Sequence, residues 1–147
     1  MLHFRKITAA DAAAVSWEQA ALTALLPSPD YAAAMLAAGG TVILLTDDGI
    51  PAGLLAMPAE TVGERPVCGL IDLVVLLPEY RRHGLGRILM GMAANEFAER
   101  GIWFLAGKVP ADPAAQAFAE AIGMKRTADS AELSVLDLSD VEGLRYG

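Results

Sequence analysis

Seven consecutive residues, Arg81-Arg82-His83-Gly84-Leu85-Gly86-Arg87, gather three arginines, a histidine and two glycines. That combination suits an anionic ligand of the phosphate type. Guanidinium groups supply charge and paired donors, and glycine lets backbone amides approach the ligand closely. The amphipathic segment that begins at Leu85 adds a helix N-terminus, where unpaired amides and the helix dipole favour negative charge. Two familiar phosphate loops do not fit. A dinucleotide fingerprint needs a third glycine, but Gly86 is followed by Arg87, Ile88 and Leu89, and no Gly-Lys-Ser/Thr occurs for a loop of the ATPase type.

A second candidate lies just upstream. Asp72 is the only charge in the apolar run Cys68 to Leu77. Flanked by Ile71, Leu73 and Val74, its carboxylate is expected to be partly desolvated, with a pKa raised toward that of a general base. The alternatives are an Asp bonded to a neighbouring loop amide, or one at a strand irregularity. Cys68 could form an acyl-enzyme, although a lone cysteine on an apolar strand usually belongs to the core. His83 could meet a phosphate or face solvent. Tyr31, Trp17 and Trp103 could line an acceptor pocket or simply pack. With one cysteine and only His3 and His83 as histidines, no intrachain disulfide, cysteine metal cluster or metal site is expected, and a Ser-His-Asp hydrolase is poorly supplied.

These residues must be held by a larger frame. Leu2 to Ile7 reads as a strand, and Thr8 with Asp11 as a capping box opening a helix through about Leu22. Ser28-Pro29-Asp30 starts a second helix that ends at Gly39-Gly40. Thr41 to Thr46 and Ile50 to Met57 are strands joined by a turn at Asp47-Asp48-Gly49, and Pro58 to Pro66 is a loop. Cys68 to Leu77 is a fourth strand, apolar in both alternation sets and closed by Pro78. Leu85, Ile88, Leu89, Met92, Ala93 and Phe97 recur at helical spacing, with Gly101 as the stop. Ile102 to Val109 is a fifth strand. Asp112 caps a helix from Pro113 to Gly123, and Met124 to Thr127 and Glu132 to Leu138 form a closing strand pair.

At 147 residues, 54% hydrophobic and 20% charged, the chain reads as a single domain over 1–147 with a substantial core. Its longest uncharged run is divided by Gly39-Gly40 and falls short of the roughly 20 apolar residues of a membrane span. Charges at Arg5, Lys6 and Asp11 interrupt what a signal peptide would need, so a cytoplasmic location without membrane partners is expected. A net charge of −7 argues against nucleic acid as a partner and leans toward a cationic acceptor. The apolar bias is compatible with a homodimer.

The spacing Arg81-x-x-Gly84-x-Gly86, after a strand ending in Pro78-Glu79-Tyr80, resembles motif A of the GNAT superfamily of N-acetyltransferases. The opening FRKITAADAAAV is similar to that family's first strand and helix, and VPADPAAQAFAEAIGM to its second motif. The resemblance implies an α/β fold of the mixed α+β kind: a strongly twisted mixed sheet of six to seven strands, flanked by about four helices and splayed between the fourth and fifth strands. It implies acetyl-coenzyme A as cosubstrate, with Val74, Val75 and Leu76 pairing with the pantetheine amides and Arg81, Arg82, His83, Gly84, Leu85, Gly86 and Arg87 around the pyrophosphate. It implies Asp72 as the base for a small-molecule or peptide amine, and a direct transfer of acetyl to that amine. One position departs from the family. The usual tyrosine acid would follow Phe118, where this chain has Ala119. That departure keeps open a non-catalytic acyl-coenzyme A sensor or interaction module. Asp112, where Asn is common, is expected to cap its helix.

Overall fold

The turn at Asp48-Gly49 shows how local sequence sets the first sheet. Both residues have positive φ, 49° and 82°, the backbone of a two-residue hairpin turn whose twist matches its strands. In the computed structural model, which describes residues 1–15, 17, 19–110, 112–126 and 134–138, this turn joins β2 (Thr41–Asp47) to β3 (Ile50–Met57). β1 (Leu2–Ile7) pairs antiparallel with the far edge of β2.

The segment between β1 and β2 is less helical than its alanine content suggests. The Asp11 carboxylate accepts the Thr8 N–H at 3.3 Å and its hydroxyl at 3.2 Å, so the box is built. It opens only a 3-10 turn, Ala9–Ala14, which gives way at an extended Val15. The expected helix to Leu22 is replaced by that turn and the one-turn α1 (Ala20–Thr23). α2 runs Tyr31–Ala37 rather than starting at Pro29, because Ser28, Pro29 and Asp30 form a turn in which the Ser28 carbonyl takes the Tyr31 N–H at 3.2 Å.

The expected fourth strand is two strands. β5 (Cys68–Ile71) joins a second sheet and β6 (Leu73–Leu76) completes the first. Between them the ladder with β3 carries one residue too many: Ala56 is in register with Leu73, yet its carbonyl accepts the Asp72 N–H at 2.9 Å. Two residues facing one is a β-bulge, which bends a strand and ends its pairing. The first sheet therefore has the order β1-β2-β3-β6. In the second, the short β4 (Thr61–Val62) borders β5, which runs parallel to β7 (Phe104–Gly107), followed by β9 (Ser134–Asp137) and β8 (Lys125–Arg126). The described residues thus hold nine strands where six or seven were expected. The break at Asp72 and the small strand in the Pro58 to Pro66 loop account for the excess. The predicted ends at Thr127 and Glu132, and the C-terminal tail, lie outside the described residues.

α3 (Leu85–Glu99) carries the chain from β6 to β7, and α4 (Pro113–Ile122) follows β7. Alternation on β2 and β3 divides the core. Val42, Leu44, Leu54 and Ala56 face Ala32 and Leu36 of α2, whereas Ile43, Leu55 and Met57 face Leu89, Met90 and Phe97 of α3. Both faces of the first sheet are therefore covered, as the apolar runs predict. Phe97 also fixes the second sheet, since a Cβ on Gly69 of β5 would stand 2.5 Å from its ring. Phe97→Ala would leave a cavity costing about 3–5 kcal/mol.

Candidate active site

β5 stays with β7 through the pair Ile71 and Gly107, while β6, past the bulge, has among the described residues only β3 beside it. The sheet parts at this point, between the expected fourth and fifth strands, and a cavity of about 980 Å³ fills the opening. One wall is the open edge of β6. The Leu77 N–H bonds back to Ala52 of β3 at 2.9 Å, so strand alternation turns the peptide groups of Val74 and Leu76 toward the cavity and that of Val75 toward Leu54. The Leu76 carbonyl is occupied by Arg81 Nε at 3.1 Å, a contact that ties the basic turn to the strand.

The floor is the turn and the start of α3. Arg82 and Gly84 both have left-handed backbones, φ 65° and 77°, and the first intrahelical bond of α3 runs from Ile88 N to Gly84 O. The amides of Leu85, Gly86 and Arg87 therefore precede the helical ladder. Gly84, as N-cap, has no side chain to satisfy them, which leaves an anion-binding concavity beside three guanidinium groups. The two glycines work differently. Gly84 supplies the left-handed φ, and a Cβ there would meet nothing within 4 Å. Gly86 makes room across the cleft, where the Phe118 ring of α4 would lie 3.2 Å from a Cβ.

α4 forms the other wall. Its N-terminus also reaches the cavity, but the Asp112 carboxylate accepts the Ala115 N–H at 3.1 Å and closes it, the capping role expected from sequence. Of the ten residues expected around the cofactor, nine line this cavity. His83 does not: it is exposed and is not among the lining residues.

Asp72 sits where the sheets part and lines a second, smaller cavity. The predicted desolvation does not occur. The bulge lifts Asp72 out of the alternation, so Ile71 and Leu73 flank it in sequence without covering it, and it is exposed. It is not without partners, because the Tyr31 hydroxyl on α2 donates to Asp72 Oδ2. Burial, then that bond, pushes the Tyr31 phenol well above its ordinary value, so it stays a donor at neutral pH. Sequence offered Tyr31 only as a pocket or packing aromatic. Nothing local signals its pairing with a residue 41 positions away. Trp17 packs in the core beside α2 and Trp103 is exposed. Cys68 is buried with its thiol pushed up by desolvation, which suits a core residue and not a nucleophile. Ala119, in the expected tyrosine position, is buried and lines the smaller cavity.

A family model described as "Acetyltransferase (GNAT) family" matches residues 8–124. The chain belongs to the GNAT acetyltransferase family. Solved structures agree on the fold. The ribosomal-protein-S18-alanine N-acetyltransferase of Escherichia coli superposes with a TM-score of 0.67 at 22% identity, covering 94% of each chain. The ribosomal-protein-alanine N-acetyltransferase of Brucella melitensis gives 0.68 at 20% identity, over 88% of this chain and 96% of its own. A GNAT family acetyltransferase from Elizabethkingia anophelis, solved with acetyl-CoA bound, gives 0.68 at 13% identity, over 93% and 98%. No curated protein matches the chain. No helix among the described residues is long and apolar enough to cross a membrane.

Proposed function

We propose that this GNAT protein is an acetyl-coenzyme A-dependent N-acetyltransferase that acts on a primary amine by direct attack. The observation that carries this reading is one continuous cleft joining the uncapped, arginine-flanked start of α3 to the outward peptide groups of Val74 and Leu76. The amides of Leu85, Gly86 and Arg87, with Arg81, Arg82 and Arg87, bind the pyrophosphate. The open edge of β6 takes the pantetheine arm as a further strand would be taken. The Val74 N–H then faces the thioester carbonyl, where a preorganised donor stabilises charge that develops only during attack.

Asp72 is the base in this reading. An acceptor ammonium with a pKa near 10.4 has little free amine at neutral pH, so a carboxylate at the mouth of the cleft, directly or through water, promotes attack. Tyr31 positions it, fixing Oδ2 and leaving Oδ1 to face the amine. With Cys68 buried, no acyl-enzyme is needed. Ala119 supplies no proton, and coenzyme A, with a thiol pKa near 8.5, leaves as a thiolate. The acceptor is a small-molecule or peptide amine. Ribosomal-protein alanine, the acceptor in the names of two structural neighbours, is one candidate for a first assay.

The hydroxyl-free wall at Ala119 favours one second reading, a protein that binds acyl-coenzyme A without turnover. Thiol release from acetyl-coenzyme A with a panel of amines, peptides and polyamines separates the two. Amine-dependent release that collapses in Asp72→Asn supports the enzyme with this base. Coenzyme binding without release by any amine supports the sensor. Release untouched by Asp72→Asn sinks the base assignment alone.

A further inference from the structure

The smaller cavity, about 130 Å³, adjoins the coenzyme cleft and shares Val74, Ala115 and Phe118 with it. Its wall is mostly hydrocarbon, from Ile71 on β5 and Met90 on α3 to Ala119 on α4 and Met124 beyond it. Asp72 and Lys108 are the charged residues among its lining. Two small residues shape it. Ala119 is only 5% exposed and presents a single methyl. At Gly107 the strands are in contact: a Cβ there would stand 3.2 Å from the Ile71 carbonyl and 4.0 Å from Met124 Cε.

Val74 is the junction. With the thioester carbonyl at the Val74 peptide, the sulfur side of the ligand lies in the large cavity and the carbon chain of the acyl group extends into the small one. An apolar cavity of about 150 Å³ accommodates benzene. By that measure the single methyl of an acetyl group leaves most of this space unfilled, whereas a chain two carbons longer occupies it.

We propose that this cavity is an acyl-chain pocket, so that the protein takes coenzyme A thioesters of short apolar acyl groups, up to butyryl, in preference to acetyl. The proposal rests on the coenzyme reading above and refines its donor. The chemistry is the same for any chain length. The amine nitrogen attacks the carbonyl carbon, an N–C bond forms as the C–S bond breaks, one proton passes from nitrogen toward Asp72, and coenzyme A leaves as the thiolate. Each methylene moved out of water strengthens binding about fourfold, so butyryl should gain on the order of tenfold over acetyl.

The test is calorimetric titration of the full chain with acetyl-, butyryl-, octanoyl- and succinyl-coenzyme A, which needs no knowledge of the acceptor. The expected result is butyryl tighter than acetyl by about tenfold, with the gain lost for octanoyl, which exceeds the pocket, and for succinyl, whose carboxylate gives up its water to a mostly hydrocarbon wall that carries the Asp72 carboxylate as well as Lys108. Ala119→Val, which fills the pocket, should lower the butyryl-to-acetyl affinity ratio on the order of tenfold. Should that variant fail to fold, Met124→Ala, which enlarges the pocket, should shift the optimum toward longer chains. Affinity that stays flat or falls from acetyl to butyryl overturns the pocket while leaving coenzyme binding intact, and a preference for succinyl overturns its apolar character. If none of the thioesters binds, the coenzyme reading fails and the pocket fails with it.

Discussion

The basic turn before α3 puts charge on the cleft and the bulge at Asp72 puts charge on the smaller cavity adjoining it, but they are built by different means. The turn is local. Seven consecutive residues supply the charge, the left-handed backbone at Arg82 and Gly84, and the exposed helix start. The bulge depends on residues far apart in sequence. Asp72 leaves the strand pattern because Ala56 of β3 faces two residues, and its carboxylate is held by Tyr31 from α2. In the proposed function binding falls to a locally coded element and chemistry to a tertiary one, so mutations should separate affinity from turnover.

The sharpest separation is expected at Asp72. Asp72→Asn should lower kcat with amine acceptors by about 10²- to 10⁴-fold, the usual worth of a positioned base, while the Kd for acetyl-coenzyme A stays within about twofold of wild type by calorimetry. The converse variant is Gly84→Asp, which places an acidic cap on α3 like the one Asp112 places on α4. The site has space for the side chain, and Asp tolerates a left-handed backbone better than most residues. Coenzyme affinity should fall on the order of a hundredfold in an otherwise folded protein, as circular dichroism would show.

Tyr31→Phe probes the tertiary half more gently. With the carboxylate no longer held at Oδ2, kcat should fall about tenfold at unchanged coenzyme Kd, since small displacements of a reacting group are costly. A rise in KM without a change in kcat would instead make Tyr31 part of the acceptor surface. Removing the cap in Asp112→Ala should cost about 1 kcal/mol of stability, a drop of roughly 2–4 °C in Tm, with little effect on coenzyme affinity.

The smallest effect concerns the scaffold behind the turn. The Tyr80 hydroxyl donates to Asp47 Oδ2 at 2.7 Å and is the main cause that holds this carboxyl below its usual range. A carboxylate depressed in the folded state adds stability above its unfolded pKa, near 3.9, which is lost as pH falls through the lower folded value. Melting scans from pH 5 downward should therefore show a shallower acid loss for Tyr80→Phe than for wild type.

The same contrast governs what could be read from sequence. Arg81, Gly84, the start of α3 and the Asp112 cap were legible because charge, backbone freedom and capping act within a few residues. Cover on both faces of the Cys68 to Leu77 strand followed from its apolar run, whereas the splayed sheet came only with the resemblance carried by Arg81-x-x-Gly84-x-Gly86. The bulge was legible only as one alternative for Asp72, a strand irregularity, because Cys68 to Leu77 is apolar in both alternation sets and nothing local says where the strand breaks. It is pairing with β3 on one side and β7 on the other that forces the break, and with it the exposure that overturned the expected desolvation. The purpose of Gly86, room for Phe118, depends on a contact between two helices. His83, read from sequence as either a phosphate contact or a solvent-facing residue, is exposed and outside the lining of the large cavity. The first helix failed because Val15 goes extended after a single 3-10 stretch.

The most direct test of the whole account is the melting temperature of the purified protein with and without acetyl-coenzyme A. At a concentration a hundredfold above Kd the ligand should contribute about 2.7 kcal/mol, raising Tm by roughly 5–10 °C, and Gly84→Asp should abolish the rise at that same concentration. An unchanged Tm of the wild-type protein at millimolar acetyl-coenzyme A would contradict the account.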